Sequence, residues 1–434
     1  MFDPQEKKSS SAHHDPWQSG NKNSPPLGLD HEHKTPGASP LLGQSAASAV
    51  GWEPGANRAA AMNSLFGCWF SDGPSCGGML GAHSAELAAM VDVDKTQKAL
   101  KSRLAKNPAA ARSLDELTRD KGFQSLPAEQ RTEMLKQFQT SPNAATTRYL
   151  KGQAEYERDK AEDKSGDPEK EKARLAKLED ARNPDSGSFR LHGQQYTISH
   201  GKLLDAQGKE AGTIDNLGNY KMSQDKESSS YYDNLDASVK LQEGSGKDQK
   251  TLLNLHSADP NGQLDGADMN QTFAAKAKDT LRAVRHEGMD MGVAPQGAFR
   301  SFDEQDKLYA QGRTTKGKQV TKARGGESWH NYGLATDLGF YNEKGQIHWP
   351  EKGDYGKQWS RYGELAKEQG LHWGGDWKKH ADRPHMEYHP GFGDGEAGQL
   401  KSAHKKGGLE AVWDQMGIGQ IPDQPQPPTK CHLL

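Results

Sequence analysis

Ser328-Trp-His-Asn-Tyr-Gly-Leu-Ala-Thr-Asp337 is the stretch that decides the C-terminal part of this 434-residue chain, together with Asp382-Arg-Pro-His385. His330, Asp337 and His385 form a suitable ligand set for a catalytic zinc ion (Zn2+), because such an ion commonly takes three protein ligands and leaves one position to water. Asp382, close before the last histidine, would then act as the base on that water. The two segments therefore predict a metal-dependent hydrolytic site.

Each part of this pattern is weak by itself. The chain contains 17 histidines, and one histidine taken alone is usually structural or on the surface. A bare His-x6-Asp spacing is equally uninformative. The prediction depends on the combination of a Ser-x-His-x2-Gly-x-Ala-x-Asp run with an Asp-x-x-His pair, within the reach of one small domain.

The residues around these histidines indicate how the backbone would present them. Gly333 allows a tight turn between His330 and Asp337, and the apolar run after Asp337 is typical of a core strand. Pro384 disfavours a helix, which predicts an extended strand from there to Tyr388. In that strand His385 and Glu387 share a face, so Glu387 is a candidate partner of a ligand.

Two helices are predicted before the metal segment. The first runs from about Asp268 to His286, with one apolar face. The second begins at a capping box formed by Ser301 and Glu304. Arg300 then lies at a rigid junction, where it could bind a substrate carboxylate or stabilise an oxyanion. The alternative is a surface arginine that braces the helix, and residue type alone favours that alternative.

The amino-acid composition limits which folds and partners are possible. Only 32% of the residues are hydrophobic, and the chain contains 48 Gly and 22 Pro, which is too polar for one compact globule of this length. The net charge of -3 does not favour nucleic-acid binding, and we expect no surface patch of a single charge sign. No run of residues is long enough to span a bilayer. Cys68 and Cys76 could form a small bridge, but free thiols are the favoured interpretation.

Residue composition and hydrophobic pattern divide the chain into six predicted regions. Residues 1–60 are predicted to be a disordered tail, 61–150 a helical region, 151–186 a charged linker or solvated helix, 187–255 a small β module, 256–395 the domain that carries the predicted metal site and 396–434 a tail. Within the helical region, Ser113 and Glu116 suggest a capping box and Pro127 a second helix start. The β module would recognise a partner or the cell wall, or serve as a spacer.

Five blocks occur in order in the last third of the chain, and together they resemble a known family. They are Phe299-Arg-Ser-Phe-Asp-Glu-Gln305, Leu308-Tyr-Ala-Gln-Gly-Arg-Thr314, Gly325-Gly-Glu-Ser-Trp-His-Asn-Tyr-Gly-Leu-Ala-Thr-Asp337, Gly370-Leu-His-Trp-Gly-Gly-Asp-Trp377 and Asp382-Arg-Pro-His385. This part is similar to the zinc L-alanyl-D-glutamate endopeptidases of phage lysins and bacterial cell-wall hydrolases, relatives of the D-Ala-D-Ala carboxypeptidases. The resemblance covers about residues 265–392.

The resemblance implies an α+β fold with a small, mainly antiparallel sheet and flanking helices. It implies zinc ligands at His330, Asp337 and His385, with Asp382 as the catalytic carboxylate and Arg300 contacting the substrate or the transition state. Ser328 would form a hydrogen bond near the ligand segment and Trp373 would line the cleft, as substrate-binding residues. Close relatives carry Glu at the position of Asp382, so the aspartate favours the endopeptidase branch.

The expected activity is hydrolysis of peptidoglycan stem peptides at the L-Ala–D-Glu bond. A D,D-carboxypeptidase is the main rival, and a non-catalytic peptidoglycan-binding protein is the alternative from another class. The N-terminus does not read as a signal peptide, although the substrate lies outside the cytoplasm. We therefore expect a protein made in the cytoplasm that acts in the periplasm or cell wall after export, injection or lysis. A secretion apparatus or phage particle and an immunity protein are the partners this route suggests.

Overall fold

A computed structural model describes residues 79–419 of the chain, with side chains described from residue 92 to 419. The predicted tail over residues 1–60 lies outside the described residues, as do Cys68, Cys76 and Cys431. None of the helices in the described part combines the length and the apolar character needed to cross a lipid bilayer.

From Met79 onward, the predicted helical region is helical. Its helices are α1 (Met79–Leu104), α2 (Pro108–Thr118), α3 (Lys121–Ser125), α4 (Ala128–Thr140) and α5 (Ala144–Glu162). Their shared core includes buried apolar side chains from all five of these helices, among them Leu104, Leu114, Phe123, Leu135 and Leu150. The start of α4 directly after Pro127 agrees with the predicted helix start.

The predicted capping box at Ser113 is wrong. Helix α2 begins earlier, at Pro108, and the side chain of Asn107 accepts a hydrogen bond from the backbone N–H of Ala110. Ser113 lies inside the helix, where its hydroxyl donates to the carbonyl oxygen of Ala109 at 3.1 Å. Asn followed by Pro is the stronger start signal, because the asparagine caps and the proline needs no N–H partner in the first turn.

The charged stretch from residue 151 continues helix α5 and then forms α6 (Pro168–Arg182). Helix α6 buries none of its residues, as expected for a solvated helix. Its charges form local pairs, such as Arg174 with Asp163 at 2.7 Å. This segment is ordered helix; where a domain boundary falls within it stays a prediction.

The next module is an antiparallel sheet, as the strand-like pieces predict. Within the described residues it has eight strands in the order β6-β5-β4-β3-β2-β1-β7-β8. The strands are β1 (Ser186–Leu191), β2 (Gln194–Ser199), β3 (Lys202–Leu204), β4 (Glu210–Ile214), β5 (Asn219–Met222), β6 (Ser229–Ser230), β7 (Ser238–Glu243) and β8 (Lys250–Leu255). Gly193 and Gly208 lie in the connecting turns with positive φ angles, which suits glycine.

The C-terminal domain is α+β, as predicted. Its described elements are α7 (Gln271–His286), β9 (Met291–Val293), α8 (Phe302–Ala310), β10 (Ala335–Tyr341), β11 (Ile347–His348), α9 (Tyr355–Glu368), β12 (His372–Trp373), β13 (His385–Glu387) and α10 (Lys401–Gln415). The described sheet is antiparallel, with β10 bonded to β11, β13 and β9, and β12 bonded to β13. Strand β10 is buried along nearly its whole length, so the functional segments meet around the centre of the sheet.

The prediction of a C-terminal tail from residue 396 is wrong for the described part. Helix α10 packs into the domain core through Val412 and Trp413. The indole N–H of Trp413 donates to the carbonyl oxygen of Tyr332 at 2.8 Å. The side chain of Asn270 donates to the carbonyl oxygen of Ile418 at 2.9 Å. The apolar residues of this segment are separated by polar ones, and only its contacts reveal that it completes the core.

The modules are docked on one another by buried polar contacts. Arg285 of α7 donates to the carbonyl oxygens of Tyr231 and Ala237 in the β module at 2.7 and 2.9 Å. The helical region contacts the same domain, where Asn107 donates to the carbonyl oxygen of Glu287 at 2.7 Å. Buried polar groups are retained where they are hydrogen-bonded, so these contacts define one arrangement of the modules.

Candidate metal centre and active site

Strand pairing brings two of the predicted ligands together. Asp337 of β10 and His385 of β13 are direct partners in the antiparallel register, so their side chains leave the sheet side by side. His330 comes from a 3₁₀ turn, Trp329–Tyr332, which ends at Gly333 with φ 64°. This left-handed turn reverses the chain between His330 and β10, as the sequence predicted.

The two histidines are oriented by hydrogen bonds on their far sides. Nδ1 of His330 lies 2.8 Å from the carbonyl oxygen of Ala298, to which it donates. Nε2 of His385 lies 2.7 Å from Oε2 of Glu387, to which it donates. In the neutral imidazoles, each of these bonds assigns the proton to one ring nitrogen and leaves the other nitrogen as an acceptor that faces Asp337.

Three acceptors then converge on one point. Nε2 of His330 and Nδ1 of His385 are 3.2 Å apart. Nδ1 of His385 is 3.0 Å from Oδ1 of Asp337, and Nε2 of His330 is 3.4 Å from Oδ2 of Asp337. All three side chains are at most 2% exposed. Buried acceptors this close are unfavourable unless a proton or a metal cation lies between them.

This arrangement fits a metal ion. Oδ2 of Asp337 has no hydrogen-bond partner among the described residues, which is costly for a buried oxygen unless an ion is held there. Burial lowers the pKa of His330 and so favours the neutral imidazole that binds metals. Among the described residues, the three side chains form one of the groups with metal-ligand spacing.

Arg300 is buried beside the three acceptors, not exposed on the surface. Its Nη2 lies 3.5 Å from Oδ2 of Asp337, and its backbone N–H donates to the carbonyl oxygen of His330 at 3.1 Å. Burial lowers the pKa of Arg300, and the carboxylates of Asp337 and Asp382 oppose that effect. Helix α8 starts directly after it with the predicted capping box of Ser301 and Glu304.

Asp382 is fully buried, and its charge acts on Arg300. Its backbone N–H donates to the carbonyl oxygen of Gly374 at 2.9 Å. A Cβ at Gly374 would collide with the carbonyl oxygen of Asp382, so a glycine is needed for this close approach. The structure thus gathers Asp382, Arg300 and the three acceptors around one site.

The structure also places Ser328 and Trp373, the two predicted substrate-binding residues. Ser328 is buried, and its backbone N–H donates to Oδ1 of Asn331 at 3.3 Å. Trp373 is 8% exposed, and its indole N–H donates to the carbonyl oxygen of Arg383 at 2.8 Å. Trp373 therefore supports the segment that carries Asp382. A role of either residue toward substrate stays a prediction.

Sequence reasoning missed three buried residues around the site. Asn331 donates to the carbonyl oxygen of Arg300 at 2.7 Å and so ties the arginine to the histidine turn. Gln305 accepts from Nη1 of Arg300 at 3.0 Å. The ring of Trp377 lies 5.2 Å from that of His385. All three residues lie inside the sequence blocks that carry the family resemblance, so those blocks were the signal that could have identified them.

Glu387 links the site to a second histidine. Its Oε1 lies 3.1 Å from Nε2 of His389, whose ring stacks between those of Trp329 and His372. The neighbouring imidazoles outweigh burial and lower the pKa of Glu387 to about 2. Glu387 is therefore a charged, buried acceptor behind His385.

Together these features define an α+β protein with a buried cluster of two histidines and one aspartate that could hold a metal ion, beside a buried carboxylate and a buried arginine. A family model described as D-alanyl-D-alanine carboxypeptidase matches residues 321–388. The peptidoglycan L-alanyl-D-glutamate endopeptidase CwlK of Bacillus subtilis (strain 168) is 46% identical over 128 residues, which are 29% of this chain and 75% of that protein. The chain belongs to the D-alanyl-D-alanine carboxypeptidase family.

Two solved structures are also similar to part of the chain. The L-Ala D-Glu endopeptidase ChiX of Serratia marcescens has 20% identity and a TM-score of 0.20, over 29% of this chain and 82% of that chain. The LD-carboxypeptidase LdcB has 21% identity and a TM-score of 0.24, over 42% of this chain and 92% of that chain.

Proposed function

We propose that this chain is a zinc-dependent peptidoglycan peptidase that hydrolyses the L-Ala–D-Glu bond of the stem peptide. The observation that carries the proposal is the convergence of His330, Asp337 and His385 beside a buried carboxylate. The 46% identity to an L-alanyl-D-glutamate endopeptidase supports the choice of bond. Two imidazoles and one carboxylate are a ligand set typical of catalytic zinc.

His330, Asp337 and His385 would hold the zinc ion. When bound, zinc supplies Lewis-acid chemistry to amide hydrolysis. Asp382 takes the proton of the attacking water and later passes it to the leaving amine. Arg300 donates to the carbonyl oxygen as negative charge develops there, an effect worth roughly 3 kcal/mol in comparable sites. The hydrogen bond to Gln305 keeps its guanidinium in place before substrate arrives, and the bond from its backbone N–H to His330 fixes its main chain.

The test uses the full chain, because the modules are docked on the peptidase domain. Wild type, Asp382→Asn and the matched control Asp376→Asn are incubated with purified muropeptides, with and without a chelator, and products are read by mass spectrometry. Asp376 is a surface residue paired with Lys367. We expect Asp382→Asn to lower the rate by roughly 10²–10⁴-fold, chelator to abolish cleavage, zinc to restore it, and Asp376→Asn to behave as wild type.

The products decide between the candidate activities. Cleavage after L-Ala establishes the endopeptidase. Release of a terminal D-Ala identifies a D,D-carboxypeptidase, which the description of the matching family model favours. A folded, zinc-loaded protein that binds the sacculus without cutting it is a binding protein, and the proposal is then wrong.

We further propose that the chain is delivered to the cell wall by a secretion apparatus or a phage particle, with a cognate immunity protein in an antibacterial setting. The ordered helical and β modules docked on the peptidase domain support this, because hydrolysis itself does not require them. Detection of the protein outside producing cells after deletion of every injection and lysis system would contradict the proposal.

A further inference from the structure

A run of positive charge precedes the metal segment. Residues 307–326 contain six Lys or Arg and no Asp or Glu, although the whole chain has a net charge of -3. The expectation that no single-signed patch stands out overlooked this run, because whole-chain charge averages it away. Several of these bases are exposed, as are two lysines that follow Trp377. We call this set the basic rim: Lys316, Lys318, Lys322, Arg324, Lys378 and Lys379.

Gln305 connects the basic rim to the site. Its side-chain amide donates to Oγ1 of Thr321 at 3.2 Å and to the carbonyl oxygen of Ala323 at 3.0 Å. Its oxygen accepts from Arg300 at 3.0 Å. Lys322 therefore lies between two residues that are bonded to the same buried amide as the active-site arginine. That linkage places Lys322 at the edge of the site.

The second half of the rim approaches from the side of Asp382. Nζ of Lys322 lies 2.8 Å from Nε2 of His380, and His380 is two residues before Asp382 in the chain. Lys378 and Lys379 precede His380 directly and are exposed. The two basic segments thus meet beside the site. One is linked to Arg300 through Gln305, and the other lies just before Asp382 in the chain.

Nearby carboxylates are engaged elsewhere. Asp306 accepts from the backbone N–H of Gly325 at 2.8 Å. Glu327 pairs with Lys401 at 3.0 Å, and Asp376 pairs with Lys367 at 2.7 Å. These acids lie at the ends of the rim and have their own partners, so the positive charge between them is available to a ligand.

We propose that the basic rim binds the free carboxylates of an acidic stem peptide on the D-Glu side of the scissile bond. This rests on the proposed function and names the substrate form it prefers. In the stem peptide D-Glu is joined through its γ-carboxyl, which leaves an α-carboxylate next to the bond to be cut, and an acidic third residue adds another. Positive charge around a cleft raises the encounter rate with such a ligand and selects against its neutral amide.

The test compares two stem peptides, one with free carboxylates and one with those carboxylates amidated. The enzymes are the full-length wild type, the double variant Lys318→Gln/Lys322→Gln and the control Lys247→Gln/Lys250→Gln, which removes the same charge from the β module. Wild type is expected to show a higher kcat/KM for the free-carboxylate peptide. The rim variant is expected to lose roughly 4–25-fold on that peptide, from about two- to fivefold per exposed charge. Added salt should narrow the difference between the peptides.

A binding measurement tests this inference independently of the proposed function. Calorimetry with the Asp382→Asn protein and the same two peptides measures recognition without cleavage. Tighter binding of the free-carboxylate peptide, lost in the rim variant and kept in the β-module control, supports the inference even if no stem peptide is cut. Equal binding of both peptides, or a rim variant that behaves as wild type, overturns it while leaving a cleaving enzyme intact.

Discussion

At the scale of single residues, the site depends on which nitrogen of each histidine carries the proton. Ala298 and Glu387 accept from the far nitrogens of His330 and His385, so the near nitrogens face Asp337 as acceptors. The candidate ligands could be named from the sequence, because the two segments that carry them have recognisable motifs. The tautomers could not, because the carbonyl of Ala298 is brought to His330 only by the fold.

Glu387→Gln tests the support behind His385. The substitution keeps the side-chain shape and an acceptor, but it removes the negative charge that strengthens the donation from Nε2. We expect the affinity for zinc to fall roughly 10–100-fold, measured by competition with a chromogenic chelator. Glu343→Gln, at an exposed position of the same domain, should retain the wild-type affinity. An unchanged affinity in Glu387→Gln would show that His385 does not depend on this carboxylate.

Glu304→Gln tests the cap that holds Arg300 at its junction. Hydrogen bonds from the side chain and backbone of Ser301 lower the pKa of Glu304. Since the folded-state pKa is depressed, the charged form stabilises the fold above the usual glutamate pKa of about 4.3, and the contribution is lost as pH falls through the folded-state value. We expect the variant to be less stable by about 0.5–1 kcal/mol at neutral pH.

The measurement for Glu304→Gln is urea unfolding over a series of pH values. The difference from wild type should shrink steadily below about pH 4, because both proteins then carry a neutral side chain at this position. Glu351→Gln, at an exposed position, is the control. A difference that stays constant with pH would show that the charge of Glu304 contributes nothing to the cap.

At the scale of secondary structure, turns and strand pairing position the site. The capping box at Ser301 and the extended strand after Pro384 were predicted correctly, because both signals lie within a few residues. The capping box at Ser113 was not, because the same residue types also occur inside a helix. Pairing of β10 with β13 joins residues 48 positions apart, and no local pattern contains that register.

Gly333→Ala tests the turn between His330 and β10. Gly333 has φ 64°, and a Cβ there would collide with the carbonyl oxygen of Asp268. We expect a loss of more than about 3 kcal/mol in the free energy of unfolding. Gly353→Ala is the matched control, because Gly353 has φ 68° but nothing within 4 Å of a Cβ. It should lose about 1–2 kcal/mol, the conformational cost alone.

Chemical unfolding of the two alanine variants separates collision from backbone strain. Zinc binding by Gly333→Ala should weaken as well, since the turn carries His330. Equal losses in the two variants would mean that the packing of the turn against Asp268 contributes nothing.

At the scale of the whole molecule, the N-terminal modules and the peptidase domain share buried polar contacts. The carboxylate of Glu287 forms ion pairs with Arg361 at 2.7 Å and with Arg103 at 3.4 Å. Residues from two modules therefore meet at one carboxylate. On the β-module side, Arg285 donates to three backbone carbonyls, those of Tyr231, Ala237 and His256. The order of the regions along the chain could be predicted from their composition, but these contacts between regions could not.

Arg285→Met tests whether the modules depend on this docking. Burial lowers the pKa of Arg285 to about 10, and its removal would leave three carbonyls without their donor. We expect a loss of about 3–5 kcal/mol in the free energy of unfolding and faster proteolysis near residue 256. Arg112→Met is the control, because its side chain is 72% exposed in an ion pair with Asp354, and it should change stability by less than about 0.5 kcal/mol. Similar behaviour of the two variants would argue that the modules are only tethered.

The sequence by itself determined the family resemblance and the elements whose signals lie within a few residues, since capping, turn and strand preferences are local properties of the chain. It also predicted His330, Asp337 and His385 as metal ligands. Only the tertiary structure decided that Arg300 is buried, that the region after residue 396 completes the core, and that two basic segments meet beside the site. The physical reason is the same in each case. Burial and charge depend on which distant segments pack together, and here Lys322 and His380, 58 residues apart, lie in contact.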